Sequence, residues 1–273
     1  MKLGLIGEVL GHSASPEIHR MIFKKLGIAG TYDLIEIPRG ELACRGKALL
    51  RDLDGFNVTI PYKTDIIPLL DEISGEAARI GAVNTVASSG GKSRGYNTDY
   101  TGFSRTLDRI GADPAGKDAV VLGTGGAARA LLQCLYDRGA RQILAVSRHP
   151  EKTDPAFAAF AAARHISIAS YEEVEKGNGA YLLVNATPCG MYPRADASPL
   201  SAAAVRRFPK VVDIIYNPQE TRLLAAAREG GADAANGMYM LAAQAAAAEE
   251  IWLGRAIPAA VTKEIAAALE HAL

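Results

Sequence analysis

The stretch AVVLGTGGAARALL, residues 119–132, constrains this chain more than any other segment. A short apolar run leads into Gly123, Gly125 and Ala128 at GxGxxA spacing, and an amphipathic run follows. Strand, glycine turn and helix in that order let a backbone approach a pyrophosphate. The glycines remove Cβ atoms from the turn, and the helix start offers unpaired N–H donors with the positive end of its dipole. A GxGxxA match alone is weak, because many glycine-rich turns bind nothing. Here a further strand, Ile143 to Ser147, follows the helix and completes a dinucleotide-binding unit.

The end of that further strand sets the expected cofactor. An NAD site usually places Asp or Glu about 20 residues after the glycines, on the ribose 2′-hydroxyl. This strand ends in Ser147-Arg148, with Lys152 four residues on, and no acid stands at its end; Glu151 comes later. A guanidinium and an ammonium pair with a 2′-phosphate, which NAD lacks. NADP is therefore the expected cofactor, against the plainer reading of Arg148 and Lys152 as solvated surface charges.

Around this unit, short apolar runs alternate with longer amphipathic ones, which predicts an α/β protein with mainly parallel sheets. Strands are expected at Lys2–Ile6, Tyr32–Ile37, Gly55–Thr59, Val83–Ala87, Ala119–Leu122, Tyr181–Asn185 and Val211–Ile215. Helices are expected from Ser15 to about Leu26, Leu69 to Ile80, Thr101 to Ile110, Ala127 to Arg138, Ala156 to Ala163, and from Met238 onward in two pieces. A length of 273 residues suits two domains. The change falls near Asp99 with no linker composition. The expected division is residues 1–98 plus 239–273 for a substrate domain and 99–238 for a nucleotide domain.

Composition excludes several classes. Thirty basic and thirty acidic side chains cancel, so no global field draws in nucleic acid or an anionic membrane. No run reaches the roughly 20 apolar residues of a membrane helix, and the N-terminus lacks a signal peptide's pattern. Cys44, Cys134 and Cys189 lie far apart, which argues against a disulfide framework or a zinc site and predicts a cytoplasmic setting without a metal.

Polar residues gather in four further segments. GHSASPEIH places Ser13 and Ser15 before a helix, where hydroxyls and helix start together suit a carboxylate; helix capping explains one of them but hardly both. NVTIPYK carries Thr59 and Lys63 just past a strand. GAVNTV carries Asn84, and GYNTDYTG carries Asn97 and Asp99. Taken singly, the lysine is a surface charge and the others are turn formers. Taken together they suit reduction of a carbonyl to an alcohol, which needs a hydride donor and a proton donor near the oxygen. Lys63 and Asp99 are the expected proton-handling pair.

Over nearly its whole length the chain resembles the shikimate dehydrogenase family. The matching segments, in order, are HSASP, NVTIPYK, GAVNTV, YNTDYTG, GTGGAARA, SR followed by Lys152, NATPCGM, DIIYNPQET and NGMYMLAAQAA. The resemblance implies an N-terminal α/β substrate domain and a Rossmann-type, doubly wound parallel-sheet NADP domain with a cleft between them. It implies that Ser13 and Ser15 bind the shikimate carboxylate, that Thr59, Lys63, Asn84, Asp99, Tyr216 and Gln244 line the rest of the substrate site, and that Lys63 and Asp99 are catalytic. For NADP(H) it implies Gly123, Thr124, Gly125, Gly126 and Ala127 at the pyrophosphate. It further implies Ser147, Arg148 and Lys152 at the adenosine phosphate, and Ile214, Gly237 and Met240 at the nicotinamide. The adenosine clamp commonly reads Asn-Arg-Thr where this chain has Ser147-Arg148-His149, and a phenylalanine is usual at Glu249. The expected partner is the small molecule shikimate or 3-dehydroshikimate, and the expected assembly a monomer or homodimer. Two alternatives stand beside this reading: a quinate/shikimate paralogue using NAD or NADP, and a catalytically silent NADP-binding sensor. Ser15 and Arg148 speak against the first, and the retained Lys63 and Asp99 against the second.

Overall fold

The computed structural model describes residues 1–11 and 13–272, so His12 of the HSASP segment lies outside the described residues. The chain begins β1 (Lys2–Gly7), α1 (Ser15–Leu26), β2 (Thr31–Glu36), α2 (Leu42–Asp52), β3 (Gly55–Val58), β4 (Glu72–Ile73), α3 (Gly75–Ile80), β5 (Thr85–Ser89), β6 (Lys92–Tyr96) and α4 (Thr98–Arg109). It continues β7 (Asp118–Leu122), α5 (Gly126–Asp137), β8 (Gln142–Ser147), α6 (Pro155–Ala162), β9 (Ser167–Ser170) and α7 (Tyr171–Lys176). Then come β10 (Leu182–Asn185), α8 (Ala202–Val205), β11 (Lys210–Asp213), α9 (Arg222–Glu229), β12 (Asp233–Ala235), α10 (Met238–Leu253) and α11 (Ala259–Ala272). The elements form two compact units, Met1–Gly102 with Ala242–Ala272, and Phe103–Leu241. Both changeovers fall inside continuous helices, α4 and α10.

The first unit holds a six-stranded sheet in the order β2-β1-β3-β5-β6-β4. Its first three strands run parallel, while β5 is antiparallel to both β3 and β6. The reversal between β5 and β6 has a local cause. Gly90 and Gly91 both take positive φ, 59° and 75°, and close a two-residue hairpin between Ser89 and Lys92. Ile6, Phe56, Val58, Tyr62, Ile66 and Val86 form the core on one side of this sheet. From α10, the Trp252 indole N–H donates to the Val86 carbonyl at 2.9 Å. It lies so close to Gly55 that a Cβ there would stand 2.2 Å from the indole nitrogen.

Leu69 to Ile80 is not the single helix that the sequence predicts. Asp71 accepts from the Ser93 amide at 2.7 Å and from its hydroxyl at 2.8 Å. Those bonds lay residues 72–73 along β6 as an edge strand. Ser74 then starts α3 afresh, its hydroxyl accepting from the Ala77 amide. Segments without a sequence expectation, among them α2, β6 and β9, form elements as well.

The second unit holds an all-parallel sheet in the order β12-β11-β10-β7-β8-β9. Read from β9 this is the doubly wound order 3-2-1-4-5-6, whose direction reverses between β7 and β10. Val120, Leu122, Val146, Leu183 and Val211 bury the strands against Phe208, Leu223 and Leu224. In open sheets of this kind ligands lie at the carboxyl ends of the strands beside the reversal.

Candidate active site

In the first unit the structure brings Lys63 and Asp99 together. The Lys63 Nζ donates to Asp99 Oδ2 at 2.6 Å, with the two side chains only 19% and 11% exposed. Residues 36 apart in sequence meet because two short segments flank Asn84. The Val83 amide donates to the Lys63 carbonyl at 2.7 Å, fixing the turn that carries the lysine. Asn84 Oδ1 accepts from the Thr98 amide at 2.7 Å and from the Thr85 and Thr98 hydroxyls. That carboxamide holds the start of α4, one residue before Asp99. Its oxygen being taken, its Nδ2 faces Gln244 Oε1 at 3.5 Å.

Behind these groups runs a buried polar network. Asn57 Nδ2 donates to the Asn84 carbonyl and to the Thr85 hydroxyl, which leaves Asn57 Oδ1 to accept from the Tyr32 hydroxyl at 2.7 Å. The Tyr32 ring stacks on His19 with centroids 4.0 Å apart. His19 Nδ1 meets Glu249 Oε1 at 2.7 Å, both side chains almost fully buried. Burial pushes the Tyr32 phenol well above its usual range, with the Ser15 hydroxyl bonding to it and opposing the shift. At the entry to α1, Ser13 Oγ accepts from the Ser15 amide at 3.2 Å, which leaves the Ser13 hydroxyl proton free to donate elsewhere. Thr59 is half-buried, its amide donating to the Ile6 carbonyl at 2.9 Å.

In the second unit a cavity of about 820 Å³ lies at the sheet's reversal, lined by residues of the loops after β7, β8 and β10. Gly123, Thr124, Gly125, Ser147, Arg148 and Lys152 line it. Gly123 takes φ 105°, and a Cβ there would stand 2.9 Å from the Thr187 methyl, so only glycine lets the loops after β7 and β10 touch. A Cβ at Gly125 or Gly126 would meet nothing within 4 Å, so that space is open in front of α5. No side chain caps this helix start, and its first amides have no intrahelical acceptor. Glycine turn, unpaired amides and cations with no acid at the end of β8 fit a phosphorylated dinucleotide.

The expected nicotinamide residues are partly assembled. A Cβ on Gly237 would stand 2.0 Å from the Ile214 carbonyl oxygen, so the two backbones are in direct contact. Met240 is buried one turn further along α10. Tyr216 is half-buried, and burial raises its phenol.

Sequence reasoning passed over the groups that hold these loops. Asp213 accepts from Asn185 Nδ2 at 3.0 Å, from the Ile215 amide at 3.1 Å and from the Thr221 hydroxyl at 2.7 Å. Asn185 Oδ1 accepts from the Thr187 amide and hydroxyl. The carboxylate is fully buried, and desolvation pushes it up to about 6 against those three donors. NATPCGM and DIIYNPQET were visible as motifs, but a strand-end Asn and Asp give no local sign of pairing.

Compared with known proteins, the whole chain finds close relatives. It is 44% identical over 273 residues to a protein named "Shikimate dehydrogenase (NADP(+))" from Clostridium perfringens strain 13, covering 97% of each chain. The chain belongs to the shikimate dehydrogenase family. The family model described as the shikimate dehydrogenase substrate binding domain matches residues 5–86, within the first unit. Among solved structures, the chorismate mutase/shikimate 5-dehydrogenase fusion protein of Clostridium acetobutylicum is 44% identical. It matches with a TM-score of 0.93 over 99% of this chain and 97% of that one. The shikimate 5-dehydrogenase of Thermus thermophilus, solved in complex with NADP(H) and shikimate, is 35% identical. Its TM-score is 0.85, over 97% of this chain and 98% of that one.

Proposed function

We propose that this chain catalyses the NADP-dependent interconversion of 3-dehydroshikimate and shikimate, the step leading toward chorismate and aromatic amino acids. The single observation that carries the reading is the sheltered Lys63–Asp99 contact at 2.6 Å, in a chain whose relatives are shikimate dehydrogenases. NADPH, when bound, supplies the hydride that reduces the C3 carbonyl. The Lys63 ammonium stands at the carbonyl oxygen and gives it a proton as the alcohol forms; in the reverse direction the amine takes the proton back. Asp99 accepts from Nζ and aims it, and Asn84 holds Asp99 by fixing the first turn of α4.

The remaining residues orient the substrate. Ser13 and Ser15 take its carboxylate, and Thr59, Asn84, Tyr216 and Gln244 take its hydroxyls. Gly123 to Ala127 hold the pyrophosphate, Ser147, Arg148 and Lys152 the adenosine phosphate, and Ile214, Gly237 and Met240 the nicotinamide. Three free cysteines among the described residues support a reducing, cytoplasmic setting, with the chain acting as a monomer or homodimer.

The test follows NADPH or NADH formation at alkaline pH with shikimate or quinate and with NADP or NAD, in all four combinations. Turnover is expected with shikimate and NADP. Turnover with quinate and NAD but not with shikimate and NADP would replace the reading with a quinate-type enzyme. Binding of NADP without turnover of either acid would replace it with a sensor.

A further inference from the structure

The cavity of the second unit carries one more cation than the sequence singled out. Arg194, in the loop after β10, lines the same cavity as Arg148 and Lys152. Among the described residues the only acid lining it is Asp154, which accepts from the Phe157 amide at the start of α6 and stands 3.5 Å from Arg129. Arg148, Lys152 and Arg194 make no ion pair among the described residues. Three unpaired cations around one cavity repel one another, and that repulsion is relieved by an anion between them.

The Arg194 loop is held by hydrogen bonds of its own backbone. The Met191 amide donates to the Pro188 carbonyl, the Tyr192 amide to Asn217, the Arg194 amide to Met191 and the Ala197 amide to Arg194. Asn185 Nδ2 reaches the Cys189 carbonyl at 3.4 Å, and Arg222 binds Asp196 at 2.7 Å. Burial raises both the Tyr171 hydroxyl and the Cys189 thiol, with Arg148 opposing the first and Arg194 opposing the second. Tyr171 and Cys189 line the cavity as well, so the two guanidiniums act on neighbouring parts of its wall.

We infer that Arg194 is a third ligand of the NADP 2′-phosphate, and that it strengthens the preference for NADP over NAD in a chain whose clamp reads Ser147-Arg148-His149. The inference rests on the NADP reading above. A guanidinium presents a planar fork that grips a phosphate with two N–H groups, so less side-chain freedom is lost per bond than with an ammonium.

Isothermal titration calorimetry at fixed ionic strength tests it, with NADP, NAD and adenosine 2′,5′-bisphosphate as probes. The bisphosphate carries the 2′-phosphate without the nicotinamide, and NAD carries the pyrophosphate without the 2′-phosphate. Arg194→Gln is expected to weaken NADP and the bisphosphate by about tenfold, the loss of one charge-assisted bond, with NAD unchanged. Arg194→Lys is expected to recover part of that loss. Equal weakening of NAD and NADP would place Arg194 at the pyrophosphate and overturn the assignment, as would no change in any of the three. If the unaltered protein bound neither NADP nor the bisphosphate, the cofactor reading beneath the inference would fall and the inference with it.

Discussion

At the scale of single residues, the proposed chemistry turns on where Lys63 Nζ points. Among the described residues Asp99 is the only acid bonded to it, at 2.6 Å, and both side chains are largely sheltered from solvent. Lys63→Ala is expected to lower kcat by about 10²–10⁴, the usual contribution of a positioned acid–base group, while dissociation constants for NADP stay as they were. An unchanged kcat would remove Lys63 from the chemistry. Asp213 offers a prediction of another kind. Burial raises it to about 6, above the roughly 4 of an exposed aspartate, so the folded chain binds more protons than the unfolded one in between. Its contribution to stability is complete below about pH 4 and is lost as pH rises through about 6. The loss is on the order of 2–3 kcal/mol for a shift of about two units. Asp213→Asn imitates the protonated acid and should flatten that part of the profile in urea titrations from about pH 4 to about pH 7. A slope equal to that of the unaltered protein would show that another group sets it.

At the scale of elements, the buried His19–Glu249 pair ties α1 to α10, the helix that also carries Gln244. Glu249 Oε2 has no hydrogen-bond partner among the described residues, so the carboxylate is satisfied on one side only. Glu249→Leu leaves the His19 ring nitrogen unpaired and is expected to cost about 1–3 kcal/mol. Changing His19 to Leu as well should recover most of the loss, since apolar replacement of both partners is often neutral. A double variant as unstable as the single one in urea would count against this account. Elements differ in how far the sequence discloses them. The β7–α5–β8 unit was legible because apolar runs, glycines and a helix start fall in one local order. The break at residues 71–75 was not, because Asp71 finds Ser93 only once the sheet forms. The proposed catalytic pair was legible as residue types, but its meeting depends on Asn84 and Thr98, which no spacing rule connects. Arg194 was not legible, because a loop arginine reads as surface charge until its cavity is seen.

At the scale of the whole molecule, the chain builds two cores, each with its own sheet. The features proposed to bind phosphate all belong to the second unit, while Lys63, Asp99, Asn84 and the serines belong to the first. Hydrogen exchange should therefore respond to each ligand in a different place. NADP is expected to slow exchange at residues 123–127 and in the 187–190 loop, and shikimate alone at residues 13–15 and 97–99. Uniform protection of both units by NADP alone would contradict this division. The chain's single tryptophan, Trp252, sits in the first unit, so its emission reports unfolding of that unit separately from the far-ultraviolet signal of both.

The first unit is assembled from two stretches of chain with the whole second unit between them. A ribosome making this protein releases all of the second unit before it releases α11 and most of α10. Until then Val86 lacks the indole that caps its carbonyl, and His19 lacks its carboxylate. The half of the molecule begun first is thus finished last. A chain truncated after residue 241 would carry the whole sheet of the second unit beside a first sheet still open to chaperones and proteases.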